Sequence, residues 1–337
     1  MTPAPAVPAP RWLRRIFWGN LAAQCLIVVT GALVRLTGSG LGCPTWPDCT
    51  EGSLVPTPEQ VESALHRSIE FGNRLLTFVL TALAIAAAVG ALTVRLRQRS
   101  TGRALPRRVL PLAFIPIVGT VVQAVLGGIT VLTGLHPAIV GAHFLVSIVI
   151  IGGVCALVHR AAAPIHAARL PAPVRLLTAL LLIATFAVVV LGVLVTGSGP
   201  HSGDSDVTHR LPFDVRTIAW MHADAVLFFL GLLAGTLIAL HLVSAPKRTK
   251  AVTWTLAGVS VAQGVVGYVQ FFTGVPWLLV LVHVAGAVLT WTLACFVYLV
   301  VRGPSAHERV HSHREEQQGE IRDRSVEQPH RADVLST

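Results

Sequence analysis

Three histidines, His143, His222 and His283, stand inside long apolar runs of a 337-residue chain. A polar side chain is costly at membrane depth, and one that persists there marks a functional site until a partner is found. Two such imidazoles facing each other from neighbouring helices of a four-helix bundle can hold a haem iron by both axial positions. Glu70 lies one helical turn from both His66 and Asn73, so it can relay protons or anchor a water at the membrane boundary, or form an ion pair with Arg67 or Arg74. Cys43 and Cys49 bracket Pro44-Thr45-Trp46-Pro47-Asp48. In an oxidising compartment that pair reads as a disulfide, either a static clip or a redox-active one.

The composition sets what must position these residues. With 53% hydrophobic and only 12% charged residues, the chain lacks the charge to cover a water-soluble surface. Apolar stretches long enough to cross a hydrocarbon core recur eight times, near 16–36, 70–94, 110–132, 138–159, 174–196, 218–242, 252–272 and 277–301. The first follows Arg14 and Arg15 with no cleavage site, so it reads as a retained span and not as a signal peptide. The predicted fold class is an all-α integral membrane protein of eight transmembrane helices.

The net charge of +10 follows the topology. Of the 26 Lys and Arg, 21 fall on one side of the eight-span arrangement, whereas Asp48, Glu51, Glu59, Glu62, Asp204, Asp206 and Asp214 fall on the other. The positive-inside rule then places both termini in the cytoplasm and the protein in the plasma membrane. No basic groove interleaved with aromatics suggests nucleic acid as a partner. Residues 1–15 and 302–337 read as disordered cytoplasmic ends, and His307, His311 and His313 in the tail as solvated.

An internal repeat organises the spans. Gln123, Gly127, Thr133, Gly134 and His143 recur 140 residues later as Gln263, Gly267, Thr273, Gly274 and His283. Gly31, Leu33 and Val34 correspond to Gly192, Leu194 and Val195, followed in each copy by Thr-Gly-Ser-Gly, with Arg35 and Leu36 extra in the first. The chain therefore divides into an N-terminal four-helix half (16–159), a cytoplasmic linker (160–173) and a C-terminal four-helix half (174–301), two pseudo-symmetric bundles in one orientation. His143 pairs with His283 by the repeat. His222 should have a counterpart on the second span, and His66 and Asn73 bracket its depth.

Other readings of the histidines are weaker. Zinc would need a tight set of three or four ligands, and a transporter would show spans broken near the midplane. Cys25, Cys155 and Cys295 behave as small hydrophobes within spans, and Asp224 points to another face than His222. A non-enzymatic dihaem electron carrier explains the histidines, but it needs neither Glu70 nor the cysteine loop.

The run Thr30 to Pro44 (TGALVRLTGSGLGCP), the segment Glu70-Phe71-Gly72-Asn73-Arg74 and the three histidines resemble bacterial haem A synthase over about residues 16–301. The resemblance implies oxidation of the C8 methyl of haem O to the formyl group of haem A, for terminal oxidase. It also implies haem b held by His222 and His283 in the C-terminal half. Substrate haem O would sit in the N-terminal half with His143 facing its iron, and Glu70 matches the family's functional glutamate. Haem O synthase is the implied source of substrate, and an unnamed redox partner exchanges electrons. The departure is Asn73, where the family commonly has histidine; His66 is then the expected second ligand, or His143 holds the substrate haem alone.

Overall fold

The computed structural model describes residues 8–39, 64–101, 105–106, 108–162, 170–202 and 209–302. Cys43, Cys49 and the expected disulfide lie outside the described residues, as do both chain ends and half of the linker 160–173.

Among the described residues all regular structure is helical: α1 (Arg11–Leu36), α2 (Ala64–Thr101), α3 (Val109–Ala113), α4 (Ile115–Leu132), α5 (Pro137–Ala161), α6 (Ala172–Ser198), α7 (Val215–Leu242), α8 (Lys247–Phe272) and α9 (Trp277–Arg302). Counting α3 and α4 as one span, eight are long and apolar enough to cross a membrane, as the hydropathy predicts. Most run a few residues past the apolar windows, because a helix continues after its side chains turn polar. The third span alone is interrupted. Pro116 has no N–H to give the carbonyl one turn back, and the chain turns at Phe114, whose amide bonds the Pro111 carbonyl instead.

Helix starts follow local chemistry. Pro10, Pro171 and Pro246 stand just before α1, α6 and α8, where a fixed φ suits helix entry. Asp214 caps α7 by accepting from both the hydroxyl and the amide of Thr217, and these bonds hold its carboxyl below the usual carboxylate range. The links α4–α5 and α8–α9 share one turn. Gly134 and Leu135 in the first, and Gly274 and Val275 in the second, all adopt positive φ, closing on bonds from Leu135 to Thr130 and from Val275 to Gln270.

The neighbour relations of one half recur in the other. Helix α1 packs on α2 and α5 as α6 packs on α7 and α9, and α4 packs on α2 and α5 as α8 packs on α7 and α9. The amide of Ala9 bonds the carbonyl of Ala161 at 2.9 Å, and at the corresponding positions Leu170 bonds Val301 at 3.3 Å. The halves meet along α5–α9, α1–α9 and α5–α6. There Phe17, Leu21, Ile148, Ile151, Val154 and Trp291 form a buried core.

Polar contacts cross this core. Trp291 Nε1 donates to the Ile148 carbonyl at 2.7 Å. Cys25 Sγ lies 3.7 Å from Thr292 Oγ1, whose own proton goes to the Val288 carbonyl, so the thiol is the donor. Cys155 and Cys295 interact directly across α5 and α9. These two cysteines are themselves 140 residues apart, a further identity of the repeat. At one end of the bundle Arg35, one of the two residues extra to the first copy, donates to the Ser202 carbonyl at 2.7 Å and ties α1 to the turn after α6.

Replacing Trp291 by Phe keeps the ring but removes the donor to Ile148. The expected loss is about 1 kcal/mol in reversible unfolding from detergent micelles. An unchanged midpoint would show that this bond does not hold the halves.

Candidate functional site

The three histidines sit at matching places. His143 is the seventh residue of α5, His222 the eighth of α7 and His283 the seventh of α9. At 1.5 Å per residue all three lie about 10 Å from the N-terminal ends of their helices. The common depth expected from the sequence is therefore present.

Each imidazole rests on a glycine of a neighbouring helix. A Cβ built on Gly127 of α4 would stand 3.6 Å from His143 Cε1, and one on Gly267 of α8 would stand 3.5 Å from His283 Cε1. One on Gly192 of α6 would meet His222 Cε1 at 3.3 Å. A Cβ at Gly192 would crowd its ring, whereas one at Gly127 or Gly267 would lie in ordinary contact, so each ring stands close against a neighbouring helix. The glycines of the repeat, noticed first as identities, are thus the surfaces that seat the rings.

Among the described residues none of the three Nδ1 atoms has a hydrogen-bond partner, although all three are buried. The Val188 carbonyl, one turn before Gly192, acts on the His222 ring without completing a bond. His222 and His283, on α7 and α9 of the C-terminal half, lie within electrostatic reach of each other. A buried imidazole tied up in a helix-to-helix hydrogen bond would not look like this. Rings seated on glycine, polar and uncommitted to protein partners, fit a planar iron-bearing group between helices. Among the described residues no three His, Cys, Asp or Glu gather as ligands for a free metal ion.

Side chains around the rings are fixed by local bonds. Gln123 donates to the His143 carbonyl at 3.0 Å and also to Ser147 Oγ, clamping α4 to α5 where His143 emerges. Its repeat counterpart Gln263 lies against Gly286 of α9, where any Cβ would collide with the amide.

Glu70 is buried, with 5% of its surface exposed, and accepts from Arg74 Nη2 at 2.8 Å. Of the two ion pairs open to it in the sequence, the structure describes the one with Arg74, a turn along α2. A carboxylate paired with an arginine near the start of a membrane-spanning helix is placed to pass protons toward the helix end. His66 stands on α2 one turn before Glu70, and its side chain lies outside the described residues.

Asn73 is not idle. Thr30 of α1 donates its hydroxyl to Asn73 Oδ1 at 2.7 Å. No local pattern in the sequence marks this partner, 43 positions away. The pairing of Thr30 with an amide at the depth of the histidines was the missing signal.

Comparison with known proteins adds the family. Residues 14–202 match the COX15-CtaA family, described as cytochrome oxidase assembly protein; this stretch holds the Thr30–Pro44 run, Glu70, Asn73 and His143 and stops short of His222 and His283. A heme A synthase of Lysinibacillus sphaericus is 37% identical over 143 residues, 40% of this chain and 41% of that protein. One of Listeria welshimeri is 34% identical over 135 residues, covering 39% and 40%. One of Alkalihalophilus pseudofirmus is 32% identical over 123 residues, covering 36% and 37%. The chain spans about two fifths of the length of these curated relatives. The family match takes in more than half of the 337 residues, and the chain belongs to the COX15-CtaA family of cytochrome oxidase assembly proteins.

Proposed function

We propose that this chain is a haem A synthase of the plasma membrane, oxidising the C8 methyl of haem O to the formyl group of haem A. The observation that carries the reading is the set of three glycine-seated imidazoles at one depth, each with Nδ1 uncommitted, in a chain of this family. The relatives' name supplies the reaction, and the residues here supply places for the parts it needs.

His222 and His283 would hold haem b in the C-terminal half, and His143 the iron of haem O in the N-terminal half. When bound, the haems supply the one-electron chemistry of the oxidation. The protein's own work is positional. Gly127, Gly192 and Gly267 fix the imidazoles, Gln123 clamps α5 at His143, and the helix faces keep bulk water from the porphyrin.

Turning a methyl into a formyl group takes up one water as the source of oxygen and releases four protons and four electrons. Glu70, buried and paired with Arg74, would accept those protons at the membrane edge, and the electrons pass to a redox partner outside this chain. With both termini in the cytoplasm, as the charge asymmetry predicts, the histidines and Glu70 lie in the outer leaflet. Haem O synthase is the natural donor of substrate. A simple dihaem carrier needs no such carboxylate, and the family speaks for the enzyme.

Two outcomes test this. Membranes containing the protein and supplied with haem O should yield haem A or its hydroxylated intermediate, and complete absence of both would end the reading. Glu70→Gln should keep bound haem while slowing product formation about 100-fold, a typical loss for a removed general base; full activity would take Glu70 out of the chemistry.

A further inference from the structure

The two halves differ where they would be expected to match. In the C-terminal half, Gly192 of α6 seats His222 of α7. In the N-terminal half the corresponding Gly31 of α1 has, among the described residues, nothing within 4 Å of where a Cβ would stand. The residue before each glycine also differs: Leu191 in one half, Thr30 in the other. Thr30 donates to Asn73 Oδ1, so Asn73 of α2 stands beside the α1 residue that matches Leu191 of α6.

The substitutions belong together. Leucine beside histidine leaves the imidazole free toward the site. Leucine beside asparagine would leave the amide oxygen without a donor at membrane depth, and threonine supplies that donor. With Oδ1 engaged, Nδ2 is the polar end of Asn73 that remains, and it can only donate. An amide is a poor iron ligand beside imidazole. His66 is no simple replacement: seven residues along α2 put it about 10 Å from Asn73 along the helix axis.

We propose that the N-terminal half holds its haem through His143 alone, and that Asn73, oriented by Thr30, donates a hydrogen bond to a small exogenous ligand on the opposite axial face. Water or a diatomic molecule is the class of ligand that fits. The C-terminal haem, closed by His222 and His283, has no such position. One site is thereby shut for electron transfer and the other open for chemistry. Asn73 is the residue that touches the ligand, and Thr30 is a positioning residue.

This inference rests on the haem reading above, and the experiment separates the two. Purified full-length protein is loaded with excess haem b, and haem per chain is measured by extraction. Absence of any bound haem would sink the haem reading itself. With two haems bound, the reduced protein should bind carbon monoxide at one haem only. Asn73→His should convert that haem to a six-coordinate low-spin form and weaken carbon monoxide binding at least 10-fold. Thr30→Val should leave the spin state unchanged but weaken cyanide binding to the oxidised protein several-fold, with Thr30→Ser restoring it. His66→Ala should leave both spectra as in the wild type. The inference is overturned if the wild type binds only one haem, if neither of two haems takes up carbon monoxide, if His66→Ala removes a low-spin signal, or if Asn73→His leaves the spectrum unchanged. Unaltered cyanide affinity in Thr30→Val would remove Thr30 and the oriented amide from it.

Discussion

An imidazole inside a membrane bundle has two ways to recover the solvation it loses: a protein hydrogen bond or a ligand that uses the ring. In this chain the first way is not taken. Among the described residues His143, His222 and His283 each keep a buried Nδ1 with no hydrogen-bond partner, and each ring lies beside a glycine of a neighbouring helix. Everything else in the architecture serves that condition. The helices must be packed closely enough for Gly127, Gly192 and Gly267 to reach the rings, which needs the paired turns at Gly134 and Gly274, the Gln123 clamp and the apolar interface around Trp291.

Duplication explains the regularity and also its breaks. Equivalent bonds close the two halves, Ala9 to Ala161 and Leu170 to Val301, and equivalent cysteines 155 and 295 meet where the halves join. The breaks fall around the N-terminal half: Arg35 and Leu36 are inserted at the end of its first helix, Glu70 is buried on its second, and Thr30, paired with Asn73, stands where the other half has leucine. A half that only holds a cofactor can stay simple. The half that departs from the common pattern is the one to which the chemistry is assigned.

Much of this was legible in the sequence, for identifiable reasons. The spans follow from apolar length, which lipid enforces strongly, and the histidines stand out because polarity there is rare. Helix ends were less legible, since α2 begins at Ala64, before its apolar window, and prolines at 111 and 116 break the third span without breaking its hydropathy. The Glu70–Arg74 pair was open as one of two alternatives because a spacing of four closes a helical turn. Contacts between distant segments carry no such local mark, so Thr30–Asn73 and Trp291–Ile148 emerged only from the fold. Cys155 and Cys295 could have been paired from the 140-residue period, but as isolated thiols in apolar helices they looked like packing residues.

The central claim is that these imidazoles are seats for haem iron and not packing residues. Electron paramagnetic resonance of the oxidised, haem-loaded protein tests it most directly, comparing wild type with His222→Ala, His283→Ala and His143→Ala. The account predicts a bis-imidazole low-spin signal that disappears in either of the first two variants and persists in the third. The same low-spin signal in all four proteins, or none in the wild type, would contradict it.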